Sequence, residues 1–351
     1  MKRRTRLALL ALLAAGIAPT TWLRTPIPPP DFAAPLRVTP MADPKGLTGD
    51  VELRGAWQLD SENAHFGGYS ALIALSPTRL LVGSDRGRIL EMPLPQSRDN
   101  PRVRFDFFAD TSGGPRIHVD LESLAYDPAA GTVWGAYEFG GRIQRFDYGA
   151  GGSNVSGITL PVMKAWPENG GAETMVRLAD GRFIILAEAS SSDSRAGLLF
   201  AGDPLGNPDP LEFRFVPGEG YSPVDGTLLP DGRVMVLLRR VEWGLPPRFA
   251  TALMVADPAE ITEDGVWQGE IIARIDGGNL DENFEGLAAI EQEDGIDLYV
   301  IADDNISAFQ DTLMLRLFWQ GGTKPAPSAE PKQQKSRENP ANPAETARAP
   351  A

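Results

Sequence analysis

The chain is 351 residues long and 42% hydrophobic, enough apolar material to bury one large core or two ordinary ones. A formal net charge of -14 and a pI near 4.7 exclude a nucleic-acid partner, because phosphate backbones attract basic surfaces, and point to cations as guests. The absence of cysteine removes disulfides, thiolate zinc sites and thiol nucleophiles together.

The chain opens with "MKRRTRLALLALLAAGIAP", a basic segment at Lys2 to Arg6 followed by an apolar run from Leu7 to Ala18 and small residues. This predicts a signal peptide or N-terminal anchor over residues 1–25, hence an exported, periplasmic or extracellular protein. The apolar run falls short of the ~20 residues that span a bilayer, so the membrane is met only if that segment stays uncleaved. Residues 26–49 are proline-rich and read as an extended linker, since proline donates to no ladder. At the other end, residues 321–351 are poor in apolar residues and rich in Pro, Ala and charge, a composition that predicts a disordered tail. The folded domain is expected over residues 50–320.

Inside it, short strand-like runs are separated by Gly, Asp and Pro turns, with no long amphipathic helix. From Ser70 come "SALIAL", "RLLVGS", "RILEMPL" and "VRFDFFA"; from Glu122, "ESLAY", "TVWGAYEF", "RIQRFDY" and "SGITLPVM". From Glu173 and Asp225 the same four-strand count repeats, whereas from Glu285 only "EGLAAI", "DLYVIAD" and "TLMLRLFW" remain. The N-terminal "VELRGAWQLD" is a surplus strand able to complete that last unit and close a ring, which removes open sheet edges. A period of roughly 50 to 60 residues is that of a propeller blade. The chain therefore reads as an all-β propeller of four-stranded blades, five by this count, with six as the alternative.

In a propeller the first strand of each blade lines the central channel and the second runs antiparallel beside it, so one strand's start and the other's end share a face. The starts carry Ser70, Glu122, Glu173, Asp225 and Glu285. The ends carry Asp85 and Arg86, Glu138, Glu188, Arg239 and Arg240, and Asp303, Asp304 and Asn305. Asp and Asn are ordinary turn residues, but Glu is a poorer one, and several at equivalent positions gather like charge that something cationic must offset. Arg86, Arg239 or a hard metal ion can do so. Oxygen donors favour calcium, while two scattered histidines, His65 and His118, disfavour zinc. A salt-bridged ring without metal is the competing reading.

The stretches "FGGYSALIAL", "DLESLAYDPAAGTVWGAYEFGGRIQRF", "GAETMVRLADGRFIILAE", "DGTLLPDGRVMVLLRR" and "NFEGLAAI", with "YVIADDN" and "QDTLMLRL" beyond, resemble the bacterial exported family described as "esterase-like activity of phytase". Its name relates it to the calcium-dependent β-propeller phytases. The resemblance implies a propeller and hydrolysis of phosphoric esters. On that reading calcium is held by Glu122, Glu173, Asp225, Glu285, Asp303 and Asp304, with Arg86 and Arg239 clamping a small anionic ester and Glu138 or Glu188 acting as general base. A calcium-dependent lactonase or carboxylesterase, and a non-catalytic binding or scaffold propeller of the cell envelope, remain as alternatives. Serine catalysis is disfavoured, as no Gly-x-Ser-x-Gly elbow occurs. Trp134, Tyr137, Phe139 and Trp319 are assigned to blade packing, Trp166 and Trp243 to a ligand rim or surface.

Overall fold

A computed structural model describes residues 5, 12, 29–97, 103–107, 120–148, 155–167, 170–188, 193–244, 248–305 and 310–321. Apart from Thr5, Leu12 and Gly321, the segments read as export signal and C-terminal tail lie outside these residues, as does His118. The described residues form five antiparallel sheets of four or five strands, arranged as a five-bladed propeller.

Blade 1 comprises Tyr69–Ser76, Arg79–Ser84, Arg88–Pro93 and Arg104–Phe107; blade 2, Leu121–Asp127, Thr132–Tyr137, Arg142–Asp147 and Val155–Thr159. Blade 3 comprises Ala172–Arg177, Phe183–Ala187, Arg195–Phe200 and Leu211–Phe215; blade 4, Ser222–Leu228, Val234–Glu242, Arg248–Ala256 and Glu270–Ile275. Blade 5 takes Asn283–Glu291, Ile296–Asp303 and Thr312–Trp319, and its fourth strand is Glu52–Asp60 from the other end of the domain. Pairing from Leu59 with Thr312 to Glu52 with Phe318 closes the ring as the surplus strand predicts.

The residues expected to be a linker differ from that expectation. Arg37–Pro40 adds a fifth strand outside Glu52–Asp60, and Leu47–Gly49 adds one outside Glu270–Ile275. Proline is tolerated there because these are edge strands, where one row of backbone groups faces away from the sheet.

Second strands such as Phe183–Ala187 are buried at every residue, because both faces of a blade are covered by its neighbours. That is why they read as unbroken apolar runs rather than alternating ones. Five apolar clusters occupy the five blade-to-blade interfaces: Leu121 and Leu124 meet Ala71 and Leu81 between blades 1 and 2, and Val176 and Ile184 meet Val234 and Val236 between blades 3 and 4. The first strands pack on one another in a closed circle around the axis.

Candidate metal centre

Each first strand carries one extra residue near its start, a β-bulge that shifts register against the second strand. Bulges re-aim side chains and raise local twist. The bulged residues are Ser70, Glu122, Glu173, Val224 and Glu285 in blades 1 to 5. Asp225, grouped with this ring on the sequence, stands one position further along and beneath it. The blade 4 equivalent of the glutamates is a valine.

At the equivalent end of each second strand stand Asp85, Glu138 and Glu188, directly past the last paired residue, and Arg239 and Asp303, which are themselves the last paired residues, opposite Ser222 and Asn283. Two residues before the bulge stand Gly68, Asp120, Gly171, Ser222 and Asn283. Gly68 is required: at φ +70 it lies so close to Asp85 that a Cβ would come within 2.3 Å of the carboxylate oxygen. Seven carboxylates thus share the two rings, with Asp120 as an eighth beside them and Arg239 as the one guanidinium of the rings.

Arg239 donates to Glu188 and to Glu285 in short ion pairs, and at 2.9 Å to Asn283 Oδ1. Asn283 in turn donates to Glu285 at 2.8 Å, so these groups from blades 3, 4 and 5 form one closed network. Blade 2 is different. Carboxylate oxygens of Asp120, Glu122 and Glu138 all lie within 4.8 Å of one another. Among the described residues no ion pair joins these three to a basic side chain.

The protonation equilibria follow this geometry. Burial raises Glu122 well above the usual carboxylate range, and the charges of Glu173, Glu285 and Asp120 add to it. Glu138 is pushed up to about 8 by burial and by its contact with Asp120. Glu173 is raised by burial and Glu188, with Arg239 opposing. Burial raises Glu285 too, but Arg239 and Asn283 pull it back. Asp303 reaches about 8 through burial and the charge of Glu285. Without a cation, protons are held where opposite charge is missing.

The remaining candidates sit apart. Asp304 accepts from the Gly68 amide at 3.0 Å and from Thr312 Oγ1 at 3.2 Å, tying blade 5 to the start of blade 1. Arg86 is exposed on the rim; burial raises Asp85 above the usual carboxylate range, with the Ser84 hydroxyl and the charge of Arg86 opposing. His65 packs against Phe32 with ring centroids 4.8 Å apart. Trp166 joins the packing between blades 2 and 3, whereas Trp243 is 93% exposed at the end of the blade 4 hairpin that continues past Arg239. Asp120 was missed on the sequence because it precedes the ring glutamate by two, a place where aspartate also reads as a turn residue. Its only signal is the D-x-E spacing, which Asn283 and Glu285 repeat as N-x-E.

An all-oxygen donor set with carboxylates in mutual contact fits a hard divalent cation of calcium type, which takes 6–8 oxygens in flexible geometry. It does not suit zinc, since no described histidine or cysteine joins it.

The family model described as "Phytase-like: Esterase-like activity of phytase" matches residues 64–306. No curated protein matches. Among solved structures, a luciferin-regenerating enzyme is 12% identical, covering 84% of this chain and 98% of its own, with a TM-score of 0.42. A calcium-binding protein, regucalcin, from Agrobacterium tumefaciens is 14% identical over 85% and 94%, also at 0.42. The nidogen/laminin complex matches at 11% over 78% and 96%, with 0.41. These are distant likenesses and carry no argument about activity.

Proposed function

Because the chain belongs to the Phytase-like family, esterase-like activity of phytase, we propose that it is a calcium-dependent hydrolase of phosphoric esters working at the acidic channel mouth. The observation that carries this reading is the contact of Asp120, Glu122 and Glu138 inside a mouth whose ring guanidinium is already committed to Glu188 and Glu285. Such a trio requires a cation or shared protons.

On this reading Asp120, Glu122 and Glu138 are the primary ligands, with Glu173 and Asp303 completing the oxygen set from the neighbouring positions. Bound calcium supplies polarisation of an ester oxygen and a lowered pKa for water. Arg239 holds Glu188 and Glu285 in fixed orientation. With Glu138 among the ligands, Glu188 is left as the general base, its proton-accepting oxygen oriented by the guanidinium. Arg86, on the rim beside Asp85, is the cation placed to meet an anionic ester from solvent. The basic start and apolar run of residues 2–18 support export, where calcium is abundant; fractionation of cells, with the N-terminus of the mature chain determined, tests it.

The test is hydrolysis of a phosphate monoester and of a carboxyl ester by chelator-treated protein, before and after calcium is restored. Calcium-dependent turnover of the phosphate ester, lost in Glu188→Gln while calcium still binds, is expected. Turnover of the carboxyl ester alone moves the assignment to a lactonase or carboxylesterase. Tight calcium binding without turnover of either ester overturns catalysis and leaves a metal-bearing binding propeller.

A further inference from the structure

One residue past each bulge, a further ring surrounds the axis beneath the mouth: Ala71, Ser123, Thr174, Asp225 and Gly286. Two of the five have little or no side chain, and the three others are polar and fully buried. Asp225 reaches from blade 4 across the axis. Its Oδ2 accepts from the Leu287 amide of blade 5 at 2.7 Å and from the Leu72 amide of blade 1 at 3.4 Å, and its Oδ1 from Gly226 at 2.8 Å. At Gly286 a Cβ would stand 2.6 Å from Ile301 Cγ2 and 2.9 Å from Leu72 Cβ, so only glycine fits there.

From blades 2 and 3, on the other side, Ser123 Oγ and Thr174 Oγ1 are both buried without a hydrogen-bond partner. Buried hydroxyls are seldom left so, and two at positions equivalent to that of Asp225 in the same ring mark a place where something binds. Among the described residues no basic side chain pairs with Asp225. Its three amides supply dipoles but no charge.

We propose that a small monovalent cation, of sodium size, binds on the channel axis between the Asp225 carboxylate and the hydroxyls of Ser123 and Thr174. All three donors are hard oxygens, which selects alkali or alkaline-earth ions over softer metals. Burial raises Asp225 well above the usual carboxylate range, so without a counter-charge it holds a proton; a single positive charge takes that proton's place and balances the one carboxylate of the ligand set. A cation is favoured over water because the site lies beneath a mouth crowded with carboxylates, whose summed field is negative along the axis. The ion joins blades 2 and 3 to a carboxylate that already binds blades 5 and 1, so it acts where all five blades meet. This site is separate from the mouth and does not depend on catalysis there.

The test is anomalous diffraction from crystals of the full chain grown in sodium and exchanged into thallium(I), with thermal unfolding in sodium chloride and in choline chloride at matched ionic strength and fixed calcium. An anomalous peak bounded by Asp225, Ser123 and Thr174 is expected, along with a melting temperature a few degrees higher in sodium. The double variant Ser123→Ala, Thr174→Val should lose both, and it keeps the fold testable where Asp225→Asn fails to fold. Axial density without anomalous signal, which is a water, overturns the proposal. So does equal melting in the two salts, or a peak unchanged in the double variant.

Discussion

On the side of blades 3, 4 and 5 the mouth is organised by Arg239, which binds Glu188, Glu285 and Asn283. On the side of blade 2, Asp120, Glu122 and Glu138 meet one another, and among the described residues no basic side chain pairs with them. The backbone positions on the two sides are equivalent, bulge for bulge and strand end for strand end. What differs is the side chains: blade 4 carries Ser222, Val224 and Arg239 where blade 2 carries Asp120, Glu122 and Glu138. The salt-bridged arrangement read from the sequence is present on the side of blades 3, 4 and 5, and the cation site proposed above lies on the side of blade 2. Blades 3, 4 and 5 carry their own counter-charge in Arg239, whereas the blade 2 trio has none among the described residues.

Removing Arg239 should collapse that distinction. Arg239→Met leaves Glu188 and Glu285 opposed at a largely buried position; Arg239 side-chain exposure is 15%. Loss of one partner from a buried pair costs about 3–5 kcal/mol. Urea denaturation should show a loss of that order, smaller in saturating calcium because the variant mouth can take a second ion. Unchanged stability would mean that the network is not holding the blades.

Glu122→Gln addresses the other half. It should weaken calcium binding roughly 100-fold, about 2.7 kcal/mol, and make the calcium-free protein more stable by relieving repulsion among the trio. A variant that binds calcium as tightly as the parent would move the ion away from blade 2.

The calcium-free protein should also show the pH dependence of a carboxylate cluster lacking its cation. Glu138 and Asp303 titrate at about 8 when folded, against 4.5 and 3.8 ordinarily. Between those values the folded state holds more protons than the unfolded one, so stability is full below the ordinary values and is lost as pH rises through about 8. Denaturation midpoints in chelator at acidic, neutral and mildly alkaline pH should fall in that order, and calcium should flatten the trend. A midpoint that rises with pH would contradict the raised titrations. The smallest effect is expected for Trp243→Ala: at 93% exposure it should change stability by no more than about 0.5 kcal/mol, so any change in ligand affinity reads on the rim alone.

The propeller was legible in the sequence because each four-strand unit announces itself twice, through buried second strands and through turn residues between them. The strand "VELRGAWQLD" even shows where the ring closes, having no unit of its own. The site was legible only to within a residue. Neighbours along a strand point to opposite sides, so Asp225 and Val224, or Asp303 and Asp304, exchange roles with a one-residue shift that sequence periodicity cannot settle. Bulges fix that shift, and they depend on pairing between strands. Arg86 and Asp85 illustrate the same limit: both stand at a strand end, yet the register puts Asp85 in the ring and leaves Arg86 exposed on the rim.

The most direct measurement is calorimetric titration of chelator-treated protein with calcium near neutral pH, in two buffers of different ionisation enthalpy, for the parent and Asp120→Asn. The account predicts saturable binding with protons released to the buffer, and marked weakening in the variant. Absence of binding by the parent, or binding without proton release and indifferent to Asp120, would contradict it.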